Sequence, residues 1–221
     1  MHFDFNAREL TIKLVYYGPA LSGKTSNLQA IHRLVDPSSR GRLMTLETKD
    51  DRTLFFDLLP LTVDAGSMRL RIKLFTVPGQ VMHDATRRLV LQGADGIAFI
   101  ADSQINETKA NQIAFRNMLE NLEDNDIDPD TVPIVIQFNK RDLREIRTHE
   151  ELQALAKQSR EPIFEAVAIH GTGVVETFLG LMELSWSDLE RRFGLTEKVG
   201  IEPEVFFRQL REQLGMPEGG R

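Results

Sequence analysis

The chain has 221 residues, with 27 lysines and arginines against 33 aspartates and glutamates, which gives a formal net charge of −6. This length suits one sizeable hydrophobic core, and the acidic balance argues against non-specific binding of nucleic acid. The sequence contains no cysteine, which excludes disulfides, thiolate zinc sites and a cysteine nucleophile.

Apolar runs in the sequence are short. All of them fall well below the roughly 20 residues that a helix needs to cross a bilayer. The first residues, MHFDFN, lack the basic start and apolar stretch of a secretory signal, and the final EGGR is not a prenylation motif. We therefore expect a cytoplasmic protein with no direct membrane insertion and no nucleic-acid partner.

Strand-type and helix-type apolar patterns alternate along the chain. The predicted strands are residues 11–17, 54–61, 69–77, 96–102, 132–139 and 164–169, and the predicted helices are residues 24–35, 84–92, 109–124, 149–158, 174–193 and 203–214. This order predicts a three-layer α/β domain with a mostly parallel sheet of six to seven strands and helices on both faces.

Two kinds of strand pattern occur. The segments GIAFIAD and VPIVIQFN are almost continuously apolar, as is typical of central parallel strands that are covered on both faces. The segment RLRIKLF, residues 69–75, alternates basic and apolar side chains, which indicates one exposed face. We place this strand near an edge of the sheet.

The C-terminal region differs in composition from the rest. We divide the chain into a domain over residues 1–193 and an extension over residues 194–221 that contains a short amphipathic helix. Its apolar side chains favour a helix docked on its own domain over a partner-binding arm. The residues predicted to make this contact are Val205, Phe206, Leu210 and Leu214.

Residues 18–25 read GPALSGKT and satisfy the pattern G-x-x-x-x-G-K-[ST]. The segment follows an apolar strand and opens a helix, the arrangement in which backbone N–H groups and a helix N-terminus face a phosphate chain. Lys24 would reach the β- and γ-phosphates, and the Thr25 hydroxyl would bind Mg²⁺. The alternative is a plain strand-to-helix turn with a solvated lysine. The other predicted phosphate-binding residues of this loop are Gly18, Leu21, Ser22, Gly23 and Ser26.

Asn139-Lys140-Arg141-Asp142 follows a buried strand, at the sheet edge where open α/β folds bind ligands. In isolation, NKRD is only a turn signal. Together with the phosphate loop it resembles the guanine-recognition element of Ras-like GTPases. A carboxylate such as Asp142 accepts from both N1–H and the N2 amino group of guanine, whereas adenine lacks this donor pair, so GTP is favoured over ATP. The resemblance implies that Asn139, Lys140 and Asp142 bind guanine, with the Ala168 N–H meeting guanine O6 beside Ile169.

The sequence also resembles one branch of that superfamily, the bacterial MglA-type GTPases that set front–rear polarity in gliding and twitching cells. The segments that carry this resemblance are YYGPALSGKT, KDDRTLFFDLLPL, FTVPGQ, ADSQ and QFNKRDL. They are spread over nearly the whole chain except the C-terminal extension.

The resemblance also implies a hydrolytic site. Gln80 would orient the attacking water and the Gly79 N–H would contact the γ-phosphate, although the same residues could form a simple Pro-Gly turn. Arg52 would act as an arginine finger supplied in cis, and Thr53 would bind Mg²⁺. The alternative for Arg52 is an exposed loop cation.

Two positions depart from the pattern of those relatives. Thr76 stands where an aspartate usually holds Mg²⁺ through a water, and Asp57 on the preceding strand is the predicted substitute. Ala20 stands where a glycine is usual, and its methyl group would crowd the catalytic glutamine. We therefore expect GTP to bind well and to be hydrolysed slowly.

The favoured function is a GTPase switch that binds GTP or GDP with Mg²⁺. The resemblance implies a roadblock-fold MglB-type activating protein at the switch regions, other effectors there, and a role in cell polarity or motility, with any location at a cell pole achieved through partners. One alternative is a nucleotide-loaded scaffold with negligible hydrolysis. Another is a P-loop ATPase or small-molecule kinase, which would leave residues 139–142 without a role.

Overall fold

The computed structural model describes residues 1–4, 6–46, 56–66, 68–79 and 84–216. The strands are β1 His2–Asp4, β2 Glu9–Tyr17, β3 Met44–Leu46, β4 Phe56–Ala65, β5 Met68–Thr76, β6 Gly96–Asp102, β7 Ile134–Asn139 and β8 Ile163–Glu165. The helices are α1 Lys24–Leu34, α2 Asp84–Leu91, α3 Thr108–Glu123, α4 His149–Ala156, α5 Val174–Phe193, α6 Leu195–Val199 and α7 Pro203–Gln213, with a 3₁₀ turn at Ile105–Glu107.

The eight strands of the described residues form one sheet in the order β3-β4-β5-β2-β6-β7-β8, and β1 pairs with the start of β2. Strands β5, β2, β6, β7 and β8 run parallel to one another, and β3 and β4 are antiparallel to their neighbours. The predicted mostly parallel sheet is confirmed. It has more strands than the predicted six to seven because β1 and β3 have three residues each, too few to show a period of two.

Helices cover both faces of the sheet. Along β2, Ile12 and Leu14 belong to a core cluster shared with α1 and α5, whereas Val15 and Tyr17 belong to a second cluster shared with α2 and α3. Successive side chains of a strand point to opposite faces, so this central strand contributes to both cores.

The strand over residues 69–75 was predicted near an edge of the sheet, and this prediction is wrong. Strand β5 lies between β4 and β2, with β3 beyond β4. Its alternation does describe one exposed face, since Leu70 and Ile72 are buried while Arg71 is exposed and pairs with Glu9 of β2 at 2.7 Å. An alternation of polar and apolar residues shows that one face of a strand is exposed to solvent. A strand in the interior of a sheet can also have such a face.

The C-terminal extension packs into the same core as the sheet. Phe206 and Leu210 of α7 are fully buried, α7 lies on β4, and the Phe206 ring stacks on Trp186 of α5 at 5.0 Å between centroids. Val205 is only partly buried. Leu195 and Ile201 are also part of this cluster, so the described residues after Phe193 continue the core of the domain.

Candidate functional site

Four neighbouring parallel strands bring the sequence motifs to one edge of the sheet. Strands β2, β6, β7 and β8 end at Tyr17, Asp102, Asn139 and Glu165. Because these strands are parallel, the loops that follow them lie together at their carboxyl ends. The phosphate loop, the ADSQ segment, the NKRD segment and residues 166–169 are therefore neighbours.

The phosphate loop requires its two glycines. Gly18 and Gly23 have φ angles of 141° and 100°, which side chains disfavour. A Cβ on Gly18 would lie 2.2 Å from the Ile100 carbonyl oxygen, and a Cβ on Gly23 would lie 2.1 Å from Nδ2 of Asn139. Gly23 begins α1 without a side-chain cap, so the first N–H groups of this helix, which include those of Thr25 and Ser26, are available to a ligand.

Lys24 is buried beneath the loop. Its Nζ donates hydrogen bonds to the carbonyl oxygens of Gly18 at 3.0 Å and Pro19 at 2.6 Å. Burial and, to a smaller extent, the charge of Arg87 lower the pKa of Lys24 to about 7, and the charge of Asp57 opposes this shift. Of the other loop residues, Ser22 is fully buried and Leu21 is 88% exposed.

Asn139 joins the phosphate loop to residues 166–169. Its Nδ2 donates to the Ser22 carbonyl oxygen at 2.8 Å, and its Oδ1 accepts from the Ala168 N–H at 2.9 Å. The N–H predicted to meet guanine O6 thus has a partner within the protein. The side chain of Ile169 is 69% exposed at the same edge.

The side chains of the NKRD segment point in different directions. Lys140 pairs with the buried Asp102 at 2.6 Å, and Arg141 pairs with Glu165 at 2.7 Å. Asp142 is exposed, and no described residue donates a hydrogen bond to its carboxylate or forms an ion pair with it. This carboxylate is therefore free to accept from a ligand.

A carboxylate lies beside the phosphate loop at the start of β4. Asp57 Oδ2 accepts from the Thr25 hydroxyl at 2.6 Å and from the Thr76 hydroxyl at 3.0 Å, and its Oδ1 accepts from the Thr45 hydroxyl at 2.8 Å. Asp57 is buried, with 6% of its surface exposed. These atoms are oxygens, the ligands that Mg²⁺ prefers.

Gly79 lies very close to Ala20 of the phosphate loop. A Cβ on Gly79 would lie 2.3 Å from Cα and 3.0 Å from Cβ of Ala20. The backbone of Ala20 therefore lies directly beside Gly79, and the methyl group of Ala20 lies at the same place, next to the residue that precedes Gln80. Together these elements border a cavity of about 520 Å³, whose lining includes Lys24, Thr25, Asp57 and Gly79.

Three predicted site residues, Arg52, Thr53 and Gln80, lie outside the described residues. The structure brings the other predicted residues together along one sheet edge. It also adds two that the sequence analysis did not single out, Thr45 and Asp102, whose hydrogen bonds hold Asp57 and Lys140. Nothing in their sequence spacing points to these pairs, because each depends on strand neighbours.

Comparison with known proteins identifies the family. A model of the Ras family matches residues 42–185. The chain is 42% identical over 189 residues to the mutual gliding-motility protein MglA of Myxococcus xanthus (strain DK1622), an alignment that spans 85% of this chain and 97% of that relative. The chain belongs to the Ras family. It is therefore a GTPase of the Ras-like, MglA type, as its motifs predicted, and the expected Ras-like fold is confirmed.

Membership of this family implies binding of GTP and GDP. It also explains why the loops gather where they do, since Ras-like domains use this sheet edge for the nucleotide. Within the described part of the chain, no helix is both long enough and apolar enough to span a membrane.

Proposed function

We propose that this protein is a molecular switch that binds GTP and GDP with Mg²⁺, hydrolyses GTP slowly on its own and is accelerated by a partner. The observation that supports this best is the hydrogen bond between Thr25 and Asp57 at 2.6 Å, directly beside the phosphate loop. It joins the predicted metal-binding hydroxyl of helix α1 to a carboxylate of strand β4.

The phosphate-binding residues act mainly through backbone groups. The N–H groups of Leu21 to Ser26 hold the phosphates, with Gly18 and Gly23 allowing the loop to turn tightly. Lys24 exchanges its two carbonyl partners for the β- and γ-phosphates, because an ammonium gains more from phosphate oxygens than from neutral carbonyls. The charged form of Lys24 is favoured when phosphates are nearby.

The residues around Asp57 fit a divalent cation. Thr25 and Thr53 supply hydroxyl ligands. The relatives usually hold Mg²⁺ through a water bound to an aspartate at the position of Thr76, and here Asp57 takes over that role. A bound Mg²⁺ would neutralise charge on the β- and γ-phosphates. Thr45 and Thr76 keep the Asp57 carboxylate oriented toward Thr25.

Guanine recognition rests on the exposed carboxylate of Asp142. It accepts from N1–H and the N2 amino group of guanine, which adenine cannot satisfy. Asn139 positions the loop that carries Ala168 and Ile169, and the Lys140 stem covers the base while its Nζ stays with Asp102.

For hydrolysis, Gln80 orients the attacking water and Arg52 spreads its donors over the transferring phosphoryl group. The Gly79 N–H contacts the γ-phosphate. The contact between Ala20 and Gly79 supports slow turnover, because the methyl group occupies space beside the residue that precedes Gln80.

The relative's name points to the process served. Since that protein is a mutual gliding-motility protein, we infer a role in cell polarity or motility, carried out in the cytoplasm or at a cell pole reached through partners. A roadblock-fold MglB-type activating protein would contact the switch regions and turn the side chains of Arg52 and Gln80 toward the bound GTP. Downstream effectors would bind the same regions in the GTP form.

The second candidate is a guanine-nucleotide-loaded scaffold with negligible hydrolysis. The close contact between Ala20 and Gly79 favours it, because a site too crowded for Gln80 would still bind nucleotide. Its output would be recruitment of partners by the GTP form alone.

The deciding experiment is single-turnover hydrolysis of GTP by the Mg²⁺-loaded protein, with and without a roadblock-type partner. GDP binding is first confirmed by competition against ADP. Slow turnover that the partner accelerates supports the switch. Tight guanine-nucleotide binding without turnover under either condition supports the scaffold, and equal competition by adenine nucleotides refutes both.

A further inference from the structure

Arg87 of α2 is buried, with 2% of its surface exposed, which is unusual for an arginine. Its Nε donates to the Pro78 carbonyl oxygen at 2.9 Å, and its Nη2 donates to the Gly79 carbonyl oxygen at 2.6 Å. One guanidinium thus holds two consecutive carbonyls of the segment that leads into Gln80.

Side chains from two further elements fix the guanidinium. Nη1 of Arg87 donates to Asn117 Oδ1 at 2.6 Å, and the guanidinium lies over the Tyr17 ring at 5.7 Å from its centroid. Asn117 and Asn121 of α3 each donate to Asp84 Oδ1 at 2.9 Å. These bonds tie the start of α2 to α3, so Arg87 is held in place from β2 and α3 as well as from its own helix.

The bond to Pro78 also determines the direction of the next N–H. In a trans peptide the C=O and the following N–H point in opposite directions, and the described residues contain no cis peptide. Because Arg87 holds the Pro78 oxygen, the Gly79 N–H points away from Arg87. Within the described chain, no group accepts a hydrogen bond from this N–H.

We propose that Arg87 is a positioning residue for recognition of the γ-phosphate. It fixes the Pro78–Gly79 peptide so that the Gly79 N–H is available to the γ-phosphate without rearrangement. The inference rests on the proposed function, in which Gly79 makes that contact. Since GDP has no γ-phosphate, Arg87 distinguishes the triphosphate from the diphosphate and contributes little to binding of GDP.

The test uses the full chain and the substitution Arg87→Lys. A lysine keeps the positive charge but lacks the planar pair of donors with which the guanidinium holds both carbonyl oxygens. Arg88→Lys is the matched control, because Arg88 is the next residue of α2 and its side chain is 48% exposed. Affinities for GDP and for a non-hydrolysable GTP analogue are measured by titration in Mg²⁺. We expect Arg87→Lys to weaken binding of the analogue about tenfold, the loss of roughly one charge-assisted hydrogen bond, with GDP affinity unchanged.

An equal loss for both nucleotides, or no loss for either, in a folded Arg87→Lys protein would overturn the proposal. If that variant does not fold, Asn117→Ala takes its place. This substitution removes one hydrogen-bond partner of the guanidinium and should weaken binding of the GTP analogue but not of GDP. An equal loss of GDP affinity would count against the inference in the same way. Failure of the proposed function is visible separately, because the unsubstituted protein would then not prefer GDP to ADP.

Discussion

Thr76 and Asp57 are hydrogen-bonded to each other twice. The Thr76 hydroxyl donates to Asp57 Oδ2 at 3.0 Å and accepts from the Asp57 N–H at 2.9 Å. Thr76 is the position that departs from the usual aspartate, and Asp57 is its predicted substitute. The two residues lie on neighbouring antiparallel strands, and the Asp57 carboxylate also accepts a hydrogen bond from Thr25.

This arrangement predicts a role for Asp57 in metal binding. Asp57→Asn should lower the apparent affinity for Mg²⁺ about 10- to 100-fold, as is typical for partners that orient a metal site. The measurement is the Mg²⁺ dependence of the release rate of a fluorescent GDP. Asp64→Asn on the same strand is the control, because Asp64 is exposed and pairs only with Arg69 at 3.2 Å in the described chain. Identical Mg²⁺ titrations of the Asp57 variant and the unsubstituted protein would contradict the prediction.

The contact between Ala20 and Gly79 predicts the effect of side-chain size on turnover. Ala20→Gly should speed basal hydrolysis about tenfold by removing the methyl group beside Gly79, and Ala20→Val, which enlarges this side chain, should abolish hydrolysis. Single-turnover assays measure both variants. GDP affinity serves as the control and should change little, since neither substitution removes a phosphate donor. A rate that does not depend on the residue at this position would show that crowding does not limit turnover.

The exposed carboxylate of Asp142 predicts a change of base preference. Asp142→Asn should weaken GDP binding about tenfold or more, because the guanine donors lose a charged acceptor, and it should improve binding of xanthosine diphosphate, whose C2 carbonyl can accept from an amide. Competition titrations with both nucleotides and with ADP give the preference directly. Unaltered selectivity would mean that Asp142 does not contact the base.

Docking of the C-terminal extension predicts a large effect on stability. Phe206→Ala should lower the free energy of unfolding by about 3–5 kcal/mol, the usual cost of truncating a buried aromatic side chain. Phe207→Ala is the neighbouring control and should cost less, since Phe207 is only partly buried. Urea unfolding followed by circular dichroism provides the comparison. A Phe206 variant as stable as the unsubstituted protein would show that the extension contributes no stability to the domain.

Long, strongly periodic elements could be predicted from the sequence. Helix α5 occupies the predicted residues 174–193, because its apolar stripe is continuous and left-handed glycines at Gly173 and Gly194 flank both ends. The short strands β1 and β3 were missed, and β5 was placed near an edge, because a pattern along one strand carries no information about its neighbours.

The motif residues of the candidate site could also be predicted, whereas their supporting contacts could not. Gly18, Lys24 and Asn139 belong to short patterns whose spacing carries the chemistry. Arg87 has no such signal, since an arginine on an amphipathic helix is usually exposed. Its burial depends on Asn117, 30 residues further along the chain, and therefore on how two helices pack.

The stacking of Trp186 on Phe206 has a practical consequence for spectroscopy. The chain has a single tryptophan, and it lies on α5 against the C-terminal helix rather than in the lining of the nucleotide cavity. Intrinsic emission of this protein is thus an optical probe of the extension. A signal that shifts when GDP is exchanged for GTP would reveal communication between the bound nucleotide and the C-terminal extension, with no label added.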